Sequence, residues 1–442
     1  MDPLSRREFA QQTVGVAALA ATFGARKAVS ANEKVVVGIM GLGGRGTDLA
    51  LRFAARSDVE VAYLCDVDTR RIARAKEGVE KAQGRPAKIV QDFRRILEDR
   101  DVDALINATP DHWHVLGGVM ACQAGKDVYV EKPMAHNIWE GQKMIEAARK
   151  YKRVVQVGMQ SRSAPYVAEA VDFIRSGGLG EVHMVRVFFM MQHPRMKPSP
   201  DQPPPAELDY DMWCGPAAKL PYNPTRFWLN MWEYSCGPIA GDAIHQLDLA
   251  RYVMGNPPHP KTVSGISDIT VLRDGRDTPD TQYAMYEYDK FNLVFESALW
   301  MPYMQKMSQE VRNSDVFPDW PFCSEKVEVL GTAGIMYLGR HGGGWQVFDK
   351  DKKLMKQCHG RPGDNPHIEN FIQCIRSRST PVADAEQGHY SGVLCHAANI
   401  SWRLGNKKLK IDGKGETFVG EPEANRLIKR NYRKPWIFPE QV

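Results

Sequence analysis

The sequence predicts an α/β protein in which a doubly wound parallel sheet is followed by a second, strand-rich part. Short apolar strands alternate with helical segments from residue 34 to residue 158, which is the pattern of a doubly wound sheet. After Gln160 this alternation gives way to a series of longer strands. The 442 residues, 43% hydrophobic and 25% charged, are enough for two or three folded domains.

Charge and cysteine content exclude several classes of protein. The 58 basic and 53 acidic residues leave a net charge of +5, so the composition favours neither a nucleic acid nor an anionic membrane surface as partner. The eight cysteines show no C-x-x-C spacing. Neither a zinc ribbon nor a disulfide scaffold is therefore predicted, although an isolated bridge stays open.

The first 31 residues resemble an export signal. Arg6 and Arg7 precede a mildly apolar, Ala-rich run over residues 13–23. About eleven apolar residues are too few to span a bilayer as a permanent helix, so no membrane span is expected in the mature protein. The pattern is similar to a twin-arginine signal cleaved near Ser30 or Ala31, which predicts an exported, periplasmic protein. A basic amphipathic N-terminus of a cytoplasmic protein is the alternative.

The strand at residues 34–40 opens directly into a glycine-rich turn, and a helix begins near Thr47. This is the G-x-G-x-x-G pattern in its strand, turn and helix context. The first glycine permits the tight turn, the second lets the backbone approach a pyrophosphate, and the third lets the helix pack closely. The helix N-terminus then faces the anion. The pattern predicts a dinucleotide site at Gly41, Leu42, Gly43, Gly44, Arg45 and Gly46.

A second strand, at residues 59–64, ends at Cys65 and Asp66. A carboxylate about twenty residues beyond the glycine turn accepts hydrogen bonds from an adenosine ribose and repels a 2′-phosphate. NAD is therefore expected rather than NADP, although Arg70 and Arg71 lie close enough to keep NADP open. A carboxylate that caps the next helix is the alternative role for Asp66.

Two polar clusters follow later strands of this sheet, at residues 107–114 and 131–133. Ligands of doubly wound sheets bind beyond the carboxyl ends of the strands, where both clusters are expected. His112 and His114 lack a third ligand at a recognisable spacing, so no metal site is predicted. Lys132 is expected to have a functional role because it lies at that edge.

Together these motifs resemble the Gfo/Idh/MocA family (glucose-fructose oxidoreductase, inositol dehydrogenase and rhizopine catabolism). The resemblance covers nearly all of the mature chain, and residues 423–436 are similar to the exported branch of the family. It rests on Gly41 to Gly46, Cys65-Asp66, Asn107 to Pro110 with His114, Glu131-Lys132-Pro133, Val157 to Gln160, His245 to Asp248, and His367 to Phe371.

The resemblance implies a Rossmann domain at 32–158 and a C-terminal α/β domain at 159–419, followed by an arm at 420–442. The C-terminal domain is expected to have a large, mostly antiparallel open sheet, whose free face often forms a subunit interface, so a homodimer or homotetramer is expected. The resemblance also implies NAD as cofactor and a sugar or polyol as substrate. The further cofactor-binding residues are Asn107, Thr109, Pro110, His112, His114, Glu131, Lys132 and Gln160.

Nine of the 28 prolines lie between Met190 and Phe227, a density that neither a helix nor a central strand tolerates. This insert ends in a group of aromatic residues. Aromatic faces commonly cover the C–H patches of sugars, so the insert is the predicted substrate wall. A cover for the open sheet or a subunit contact is the alternative. The substrate-binding candidates are Arg162, Tyr222, Arg226, Trp228, Tyr234 and His245.

Lys132, Asp242 and His245 are the predicted catalytic residues. Oxidation of a secondary alcohol by hydride transfer needs a base for the hydroxyl proton, which suits His245, and a donor that stabilises the alkoxide, which suits Lys132. Asp242 lies three residues before His245 and shares its helix face, so it can orient the imidazole. The family's acid usually lies four before the histidine, where this chain has Gly241. The alternative is a capping Asp242 and an interior His245.

Export constrains the reaction, because free NAD is absent outside the cytoplasm. We therefore expect a tightly bound NAD that is regenerated within each cycle. Two reactions meet this condition: oxidation of one sugar coupled to reduction of a second carbonyl compound, and glycoside cleavage through transient oxidation, elimination and re-reduction. The second needs another base, for which Tyr222, Tyr234 or a second histidine are open. A nucleotide-binding module without catalysis is a third possibility.

Overall fold

A computed structural model describes residues 34–442, and the predicted export signal lies outside these residues. The N-terminal part is a six-stranded sheet in the order β3-β2-β1-β4-β5-β6, with every pair parallel. This confirms the doubly wound Rossmann sheet. Its strands are β1 (Val35–Met40), β2 (Val59–Cys65), β3 (Lys88–Val90), β4 (Ala104–Asn107), β5 (Asp127–Val130) and β6 (Val155–Val157).

The strand order reverses between β1 and β4, so the crevice that receives ligands in such folds opens at the carboxyl ends of these two strands. The strands are buried apolar runs because helices cover both faces of the sheet. These helices are α1 (Gly44–Ala54), α2 (Ile72–Gln83), α3 (Arg94–Glu98), α4 (His114–Gln123) and α5 (Ile138–Lys150).

The C-terminal part contains a ten-stranded sheet in the order β14-β13-β12-β11-β7-β10-β9-β8-β15-β16. Its strand pairs are antiparallel except for β7 and β10, which confirms the large, mostly antiparallel sheet. The strands are β7 (Val182–Met190), β8 (Thr262–Asp268), β9 (Thr281–Glu287), β10 (Asn292–Ala298), β11 (Lys326–Gly331), β12 (Ile335–Gly339), β13 (Trp345–Phe348), β14 (Leu354–Cys358), β15 (Leu409–Asp412) and β16 (Thr417–Phe418).

One face of this sheet is covered and the other is open. Alternate side chains such as Tyr286 and Leu293 are buried beneath helices, whereas Ile266 is 71% exposed and Met285 is 56% exposed on the other face. The remaining helices are α6 (Pro165–Arg175), α7 (Tyr210–Cys214), α8 (Ile244–Val253), α9 (Gln309–Asn313), α10 (Asp364–Ser377), α11 (Ala385–Arg403) and α12 (Pro422–Arg426).

Helix α10 comes late in the sequence but packs into the core of the Rossmann part. Ile368 and Phe371 belong to the same buried cluster as the residues of β1 and β2. The side chain of Gln156, on β6, donates a 2.8 Å hydrogen bond to the carbonyl oxygen of His367. The two parts of the chain are therefore fixed to each other, and the crevice lies between them.

The segment that carries two of the predicted catalytic residues is not a uniform α-helix. Residues Ile239–Ala243 form a π-helical turn, and α8 begins at Ile244. π-helical turns occur frequently at functional sites. Of the helices within residues 34–442, none is long and apolar enough to cross a membrane.

Candidate functional site

A cavity of about 810 Å³ lies at the carboxyl edge of the parallel sheet, bounded by both parts of the chain. This volume falls within the range of roughly 300–1,000 Å³ that is typical of small-molecule sites. The cavity brings together sixteen of the predicted residues. They are Gly41, Gly43, Gly44, Arg45, Asp66, Thr109, Pro110, Glu131, Lys132, Gln160, Tyr222, Arg226, Trp228, Tyr234, Asp242 and His245.

The glycine turn has the shape that a pyrophosphate requires. Gly41 has a φ of +89°, and an added Cβ would lie 2.8 Å from the carbonyl oxygen of Ala108. A Cβ on Gly46 would lie 1.8 Å from the oxygen of Gly41, so these two glycines are required by packing. A Cβ on Gly44, at the start of α1, would meet only open space in the cavity. The residues present therefore fit a dinucleotide phosphate at this helix N-terminus.

Asp66 lies at the end of β2 and holds the glycine turn in place. Its Oδ2 accepts a 2.7 Å hydrogen bond from the backbone N–H of Leu42, and its Oδ1 accepts one from Asp68 at 2.9 Å. Burial raises the pKa of the Asp66 carboxyl above its ordinary value. The carboxylate also lines the cavity, so it is placed to contact an adenosine ribose.

Arg70 and Arg71, because of which NADP was an alternative cofactor, are both paired with Asp68. The Arg70 Nη2 atom lies 2.7 Å from Asp68 Oδ2, and the Arg71 Nε atom lies 3.6 Å from the same oxygen. The hydrogen bond from Arg70 holds the pKa of Asp68 below its ordinary value against the effect of burial. With this partner present, the two guanidinium groups are less available to a 2′-phosphate, which favours NAD.

The Glu131 side chain connects the glycine turn to Gln160 at the cavity wall. It accepts hydrogen bonds from Arg45 Nε at 2.8 Å and from Gln160 Nε2 at 3.3 Å. Burial alone would raise the pKa of Glu131, but Arg45 and Lys132 hold it below its ordinary value. Arg45 also pairs with Asp364 at 2.9 Å, which ties the glycine turn to α10.

The side chains of three predicted cofactor-binding residues make hydrogen bonds that fix the loop after β4. Asn107 is fully buried and donates to the carbonyl oxygens of Trp113 and His114. The ring nitrogens of His114 lie 2.6 Å from the carbonyl oxygen of Pro133 and 2.8 Å from that of Thr109. The ring nitrogens of His112 face the carbonyl oxygens of Tyr234 and Trp213. Backbone carbonyls thus occupy polar atoms of all three side chains, and the expected contact of these residues with the cofactor stays a prediction.

Lys132 and His245 reach the cavity from opposite parts of the chain. The Lys132 ammonium donates a hydrogen bond to the carbonyl oxygen of Gly241, in the π-helical turn just before His245. Burial, together with the positive charges of Arg340 and Lys132, holds the pKa of His245 well below its ordinary value. The imidazole is therefore neutral near pH 7 and able to accept a proton.

Asp242 was expected to orient the His245 imidazole, but its carboxylate has other partners. Within the residues described, its carboxylate pairs instead with Lys306 and with Arg340, whose Nη2 atom lies 3.0 Å from Asp242 Oδ1. Burial alone would raise the pKa of Asp242, but Arg340, Lys306 and Lys132 hold it well below its ordinary value. The charge of Asp242 raises the pKa of the His245 imidazole, against the larger effect of burial.

Two cavity residues that were not predicted, Arg340 and His341, come from the glycine-rich loop after β12. The three glycines at 342–344 have φ values of +86°, +72° and +63°. The hydroxyl of Ser161 donates a hydrogen bond to the carbonyl oxygen of Arg340 at 2.5 Å, which also fixes the loop. The sequence signal was present, because a run of three glycines indicates a shaped loop that holds the residues before it.

His341 is a second histidine that lines the cavity. Its Nε2 atom lies 3.6 Å from Asp364 Oδ2, at the start of α10. Burial and the adjacent Arg340 lower the pKa of His341 to about 4. His341 and His245 both line the cavity.

The aromatic insert lines the cavity, but its members have different surroundings. Tyr222, Arg226 and Trp228 line it directly. The Tyr234 hydroxyl is committed to packing, since it accepts from the N–H of Leu220 at 3.2 Å and donates to a backbone carbonyl. The insert also reaches the end of β2. It therefore covers the part of the cavity near Asp66 as well as the part near Lys132 and His245.

Arg162 belongs to the core. Its side chain is 1% exposed and makes three hydrogen bonds of 2.7–2.9 Å to Asp248, and a further bond to Asn256. This geometry corrects its expected role in substrate binding. Among the described residues, no group of three or more His, Cys, Asp or Glu side chains could hold a metal ion.

Comparison with known proteins gives the same picture for both parts of the chain. Residues 35–159 match the Gfo/Idh/MocA oxidoreductase family model described as an NAD-binding Rossmann fold. Residues 189–267 and 334–438 match the model for the C-terminal α/β domain of the same oxidoreductase family.

Among relatives, the myo-inositol 2-dehydrogenase of Thermotoga maritima is 26% identical over 374 residues, which are 83% of this chain and 95% of that protein. The match to the uncharacterized oxidoreductase YrbE of Bacillus subtilis, at 24% identity, covers 51% of this chain and only 55% of that protein. The chain therefore aligns with about half the length of some of the relatives it matches.

Among solved structures, the WlbA dehydrogenase of Bordetella pertussis, in complex with NADH and UDP-GlcNAcA, is similar with a TM-score of 0.63 and 21% identity. The alignment covers 86% of this chain and 99% of that one. The aldose-aldose oxidoreductase of Caulobacter crescentus, in complex with glycerol, has a TM-score of 0.64 and 20% identity, over 86% and 100% of the two chains. These likenesses show a shared fold.

Proposed function

Because this chain belongs to the Gfo/Idh/MocA oxidoreductase family, whose N-terminal domain is an NAD-binding Rossmann fold, we propose that it oxidises a secondary hydroxyl of a sugar, polyol or glycoside. NAD, when bound, supplies the hydride acceptor. One observation carries the proposal: the Lys132 ammonium and the His245 imidazole open into the same cavity as the glycine turn. A group that donates and a group that accepts a proton are thus placed beside the nucleotide site.

In the proposed reaction, His245 takes the hydroxyl proton and Lys132 stabilises the alkoxide oxygen. The neutral state of His245 suits a base, and the fixed ammonium of Lys132 suits a hydrogen-bond donor that is preorganised for the developing charge. Asp242 and Arg340 act as positioning residues through their ion pair. This assignment differs from a direct carboxylate–imidazole pair, because Asp242 acts on His245 only through its charge.

We further propose that the cofactor stays bound and is regenerated in each cycle. The twin-arginine pattern of the first 31 residues supports an exported, periplasmic enzyme, which would lack a supply of free NAD. The relatives named as inositol dehydrogenase and aldose-aldose oxidoreductase support a sugar or polyol substrate. The exposed aromatic ring of Phe227, beside Trp228 on the cavity wall, supports a ligand with C–H faces.

The test is a spectrum of the protein-bound nicotinamide. The purified protein is mixed with a panel of sugars, polyols and glycosides, and the near-ultraviolet absorbance of reduced nicotinamide is recorded. We expect at least one compound to reduce the bound cofactor, and a second carbonyl compound to return it to the oxidised state. A panel without any reduction, on protein shown to hold NAD, would contradict the proposal.

Redox-neutral cleavage of a glycoside is a second candidate, and His341 favours it. This reaction needs a second base, because a C–H proton next to the transient ketone must be removed. His341 lines the cavity together with His245, has Asp364 as a neighbour, and is neutral near pH 7 because its pKa is about 4. Of the two tyrosines considered above, Tyr234 uses its hydroxyl in packing.

In that reaction the alcohol carbon would give its hydride to bound NAD and its hydroxyl proton to His245, which gives a ketone. His341 then takes the proton from the adjacent carbon and passes it to the aglycone oxygen as the bond to that oxygen breaks. Water adds across the resulting double bond, and the hydride returns to the ketone carbon while His245 returns its proton to the ketone oxygen. Aglycone release from a panel of nitrophenyl glycosides tests this candidate. We expect His341→Asn to abolish release while reduction of the bound nicotinamide persists; release at the wild-type rate would remove His341 from the mechanism.

We also propose that the chain forms a homodimer or homotetramer through the open face of the ten-stranded sheet. Ile266, Tyr283 and Met285 are exposed together on β8 and β9. Sedimentation of wild type and of Ile266→Lys tests this interface, and an unchanged oligomer in the variant would contradict it.

A further inference from the structure

The part of the cavity near Asp66 is closed by the C-terminal half of the chain. We call residues 207–229 the cover segment and residues 420–442 the C-terminal arm. The backbone N–H of Thr69 donates to the carbonyl oxygen of Glu207 at 3.1 Å, and the N–H of Asp209 donates to that of Val67 at 3.0 Å. The cover segment thus pairs like a short strand with the connection that follows Asp66.

The cover segment is also fixed from below by the Rossmann part. The indole N–H of Trp113 donates to the carbonyl oxygen of Met212 at 2.9 Å, and a ring nitrogen of His112 lies 2.8 Å from that of Trp213. Both carbonyls belong to α7, the short helix within the cover segment. His112, predicted from the sequence as a cofactor ligand, therefore acts on the site through this helix.

Side chains of the cover segment face the cavity at the end that Asp66 marks. Tyr210, Trp213 and Tyr222 line the cavity together with Arg70 and Asp66. The pKa of Arg70 is raised above its ordinary value by its hydrogen bond to Asp68 and also by Tyr222. In a Rossmann fold the carboxylate after β2 marks the adenosine ribose, so these rings lie beside the place of the adenosine.

The C-terminal arm holds the cover segment from outside. The Arg433 guanidinium donates to Asp211 Oδ1 at 2.9 Å and to the carbonyl oxygen of Gly215 at 3.1 Å, and its backbone N–H donates to that of Pro216. Arg430 pairs with Glu233 at 2.8 Å, at the other end of the insert.

The arm itself is anchored on the Rossmann part. The ring of Trp436 packs edge-on against Trp113, with centroids 4.9 Å apart, and the ring of Phe438 packs against Trp139 on α5. Val442 is buried, and its backbone oxygen accepts a hydrogen bond from the Lys150 ammonium. The cover segment is therefore held between the Rossmann domain and the C-terminal arm, and the arm is itself packed against the Rossmann domain.

We propose that the cover segment and the C-terminal arm form the adenosine side of the NAD site and that Arg433 is the positioning residue that keeps this side closed. Charge-assisted hydrogen bonds such as those of Arg433 are stronger than neutral ones, and its guanidinium orders the cover segment because it bridges one carboxylate and three backbone carbonyls. Release of the nucleotide then requires the cover segment to separate from the arm. This inference rests on the proposed occupancy of the cavity by NAD.

The dissociation rate of NADH tests the proposal without any substrate. NADH fluorescence is followed after a chase with excess NAD in the full-length mature protein. We expect Arg433→Ala to release NADH at least about tenfold faster, which corresponds to roughly 1.4 kcal/mol. The matched control is Arg426→Ala, because Arg426 lies on the same arm and its partner Glu423 is as exposed as Arg426 itself. The control should release NADH at the wild-type rate.

A second variant and a second ligand keep the result interpretable. Asp211→Asn removes the half-exposed partner charge of Arg433 without a change in size, and we expect it to accelerate release in the same direction. ADP-ribose, which keeps the adenosine, the pyrophosphate and the second ribose but lacks the nicotinamide ring, should also bind Arg433→Ala about tenfold more weakly than wild type. Tight NADH binding by wild type with unchanged release from both variants would overturn this inference alone. Failure of wild type to bind NADH at all would overturn the proposed function as well.

Discussion

The ammonium of Lys132, at the carboxyl edge of the parallel sheet, donates a hydrogen bond to the carbonyl oxygen of Gly241. Gly241 lies in the π-helical turn that leads into α8 and His245. A Cβ on Gly241 would lie 2.5 Å from a methyl group of Leu229, so a side chain there would require Leu229 to move. One direct contact between the two parts of the chain therefore sets the position of both proposed catalytic groups.

Replacement of Lys132 by methionine should separate catalysis from nucleotide binding. The methionine keeps most of the side-chain volume but cannot donate to an alkoxide, so we expect reduction of the bound nicotinamide to fall by about a hundredfold or more. The NAD content of the purified variant should equal that of wild type, because the phosphate contacts come from the glycine turn. Reduction at the wild-type rate would remove Lys132 from the mechanism.

Replacement of Asp242 by asparagine tests whether its charge, rather than a direct bond, supports His245. The variant leaves Arg340 with Glu325 as its carboxylate partner and removes the charge that raises the pKa of His245. We expect the rate of nicotinamide reduction to fall by about ten- to a hundredfold because the imidazole becomes a weaker base. Asp289→Asn, at an exposed ion pair with Lys261, is the control and should have no effect. A wild-type rate in Asp242→Asn would leave Asp242 with a purely structural role.

The pairing of Arg70 and Arg71 with Asp68 predicts a route to NADP binding. Asp68→Asn keeps the shape of the side chain and removes its charge, which frees both guanidinium groups for a 2′-phosphate. We expect the ratio of NADP to NAD affinity, measured by titration of nucleotide-free protein, to rise about tenfold. Asp58→Asn is the matched control because Asp58 pairs with Arg56 two residues away, as Asp68 pairs with Arg70. An unchanged ratio would show that Asp68 does not restrain these arginines.

The buried His112 predicts a loss of stability in acid. Burial lowers the pKa of His112 to about 3 in the folded protein, whereas the pKa is about 6.5 when the chain is unfolded. As pH falls below 6.5, the unfolded chain gains a proton that the folded chain does not bind, so folding stability decreases down to about pH 3. His112→Gln removes this contribution.

The free energy of unfolding in urea at pH 7 and pH 5 checks this prediction. Within that window, each pH unit changes the free energy of unfolding by about 1.4 kcal/mol per histidine. The difference in the free energy of unfolding between wild type and His112→Gln should therefore be smaller by about 2 kcal/mol at pH 5 than at pH 7. The exposed His183→Gln serves as the control. A gap that is the same at both pH values would contradict the assigned burial effect.

Much of the fold could be predicted because local patterns determine it. The glycine turn and the apolar runs of β1 and β2 follow directly from the sequence, and so does the change to longer strands after Gln160. The packing of α10 into the Rossmann core could not be predicted, because contacts between distant segments leave no periodic signal.

The site was predictable where residue type and position determine the role together. Lys132, Asp66 and His245 line the cavity as expected. His112 and Arg162 do not, because a polar residue near a binding edge can equally well bond to buried backbone or to a buried carboxylate. Hydrogen bonds between residues 86 and 101 positions apart decide between these roles, and a sequence pattern does not contain them.

The nucleotide content of the mature protein, purified without added cofactor, tests directly whether NAD stays bound and is recycled. The protein is denatured, the released NAD and NADP are quantified, and externally added NAD is assayed in parallel with the same sugar panel. We expect about one NAD per chain and no net reduction of added NAD, because the cofactor is held and recycled. An empty site together with steady reduction of added NAD would mean an ordinary dehydrogenase and would contradict the retained cofactor.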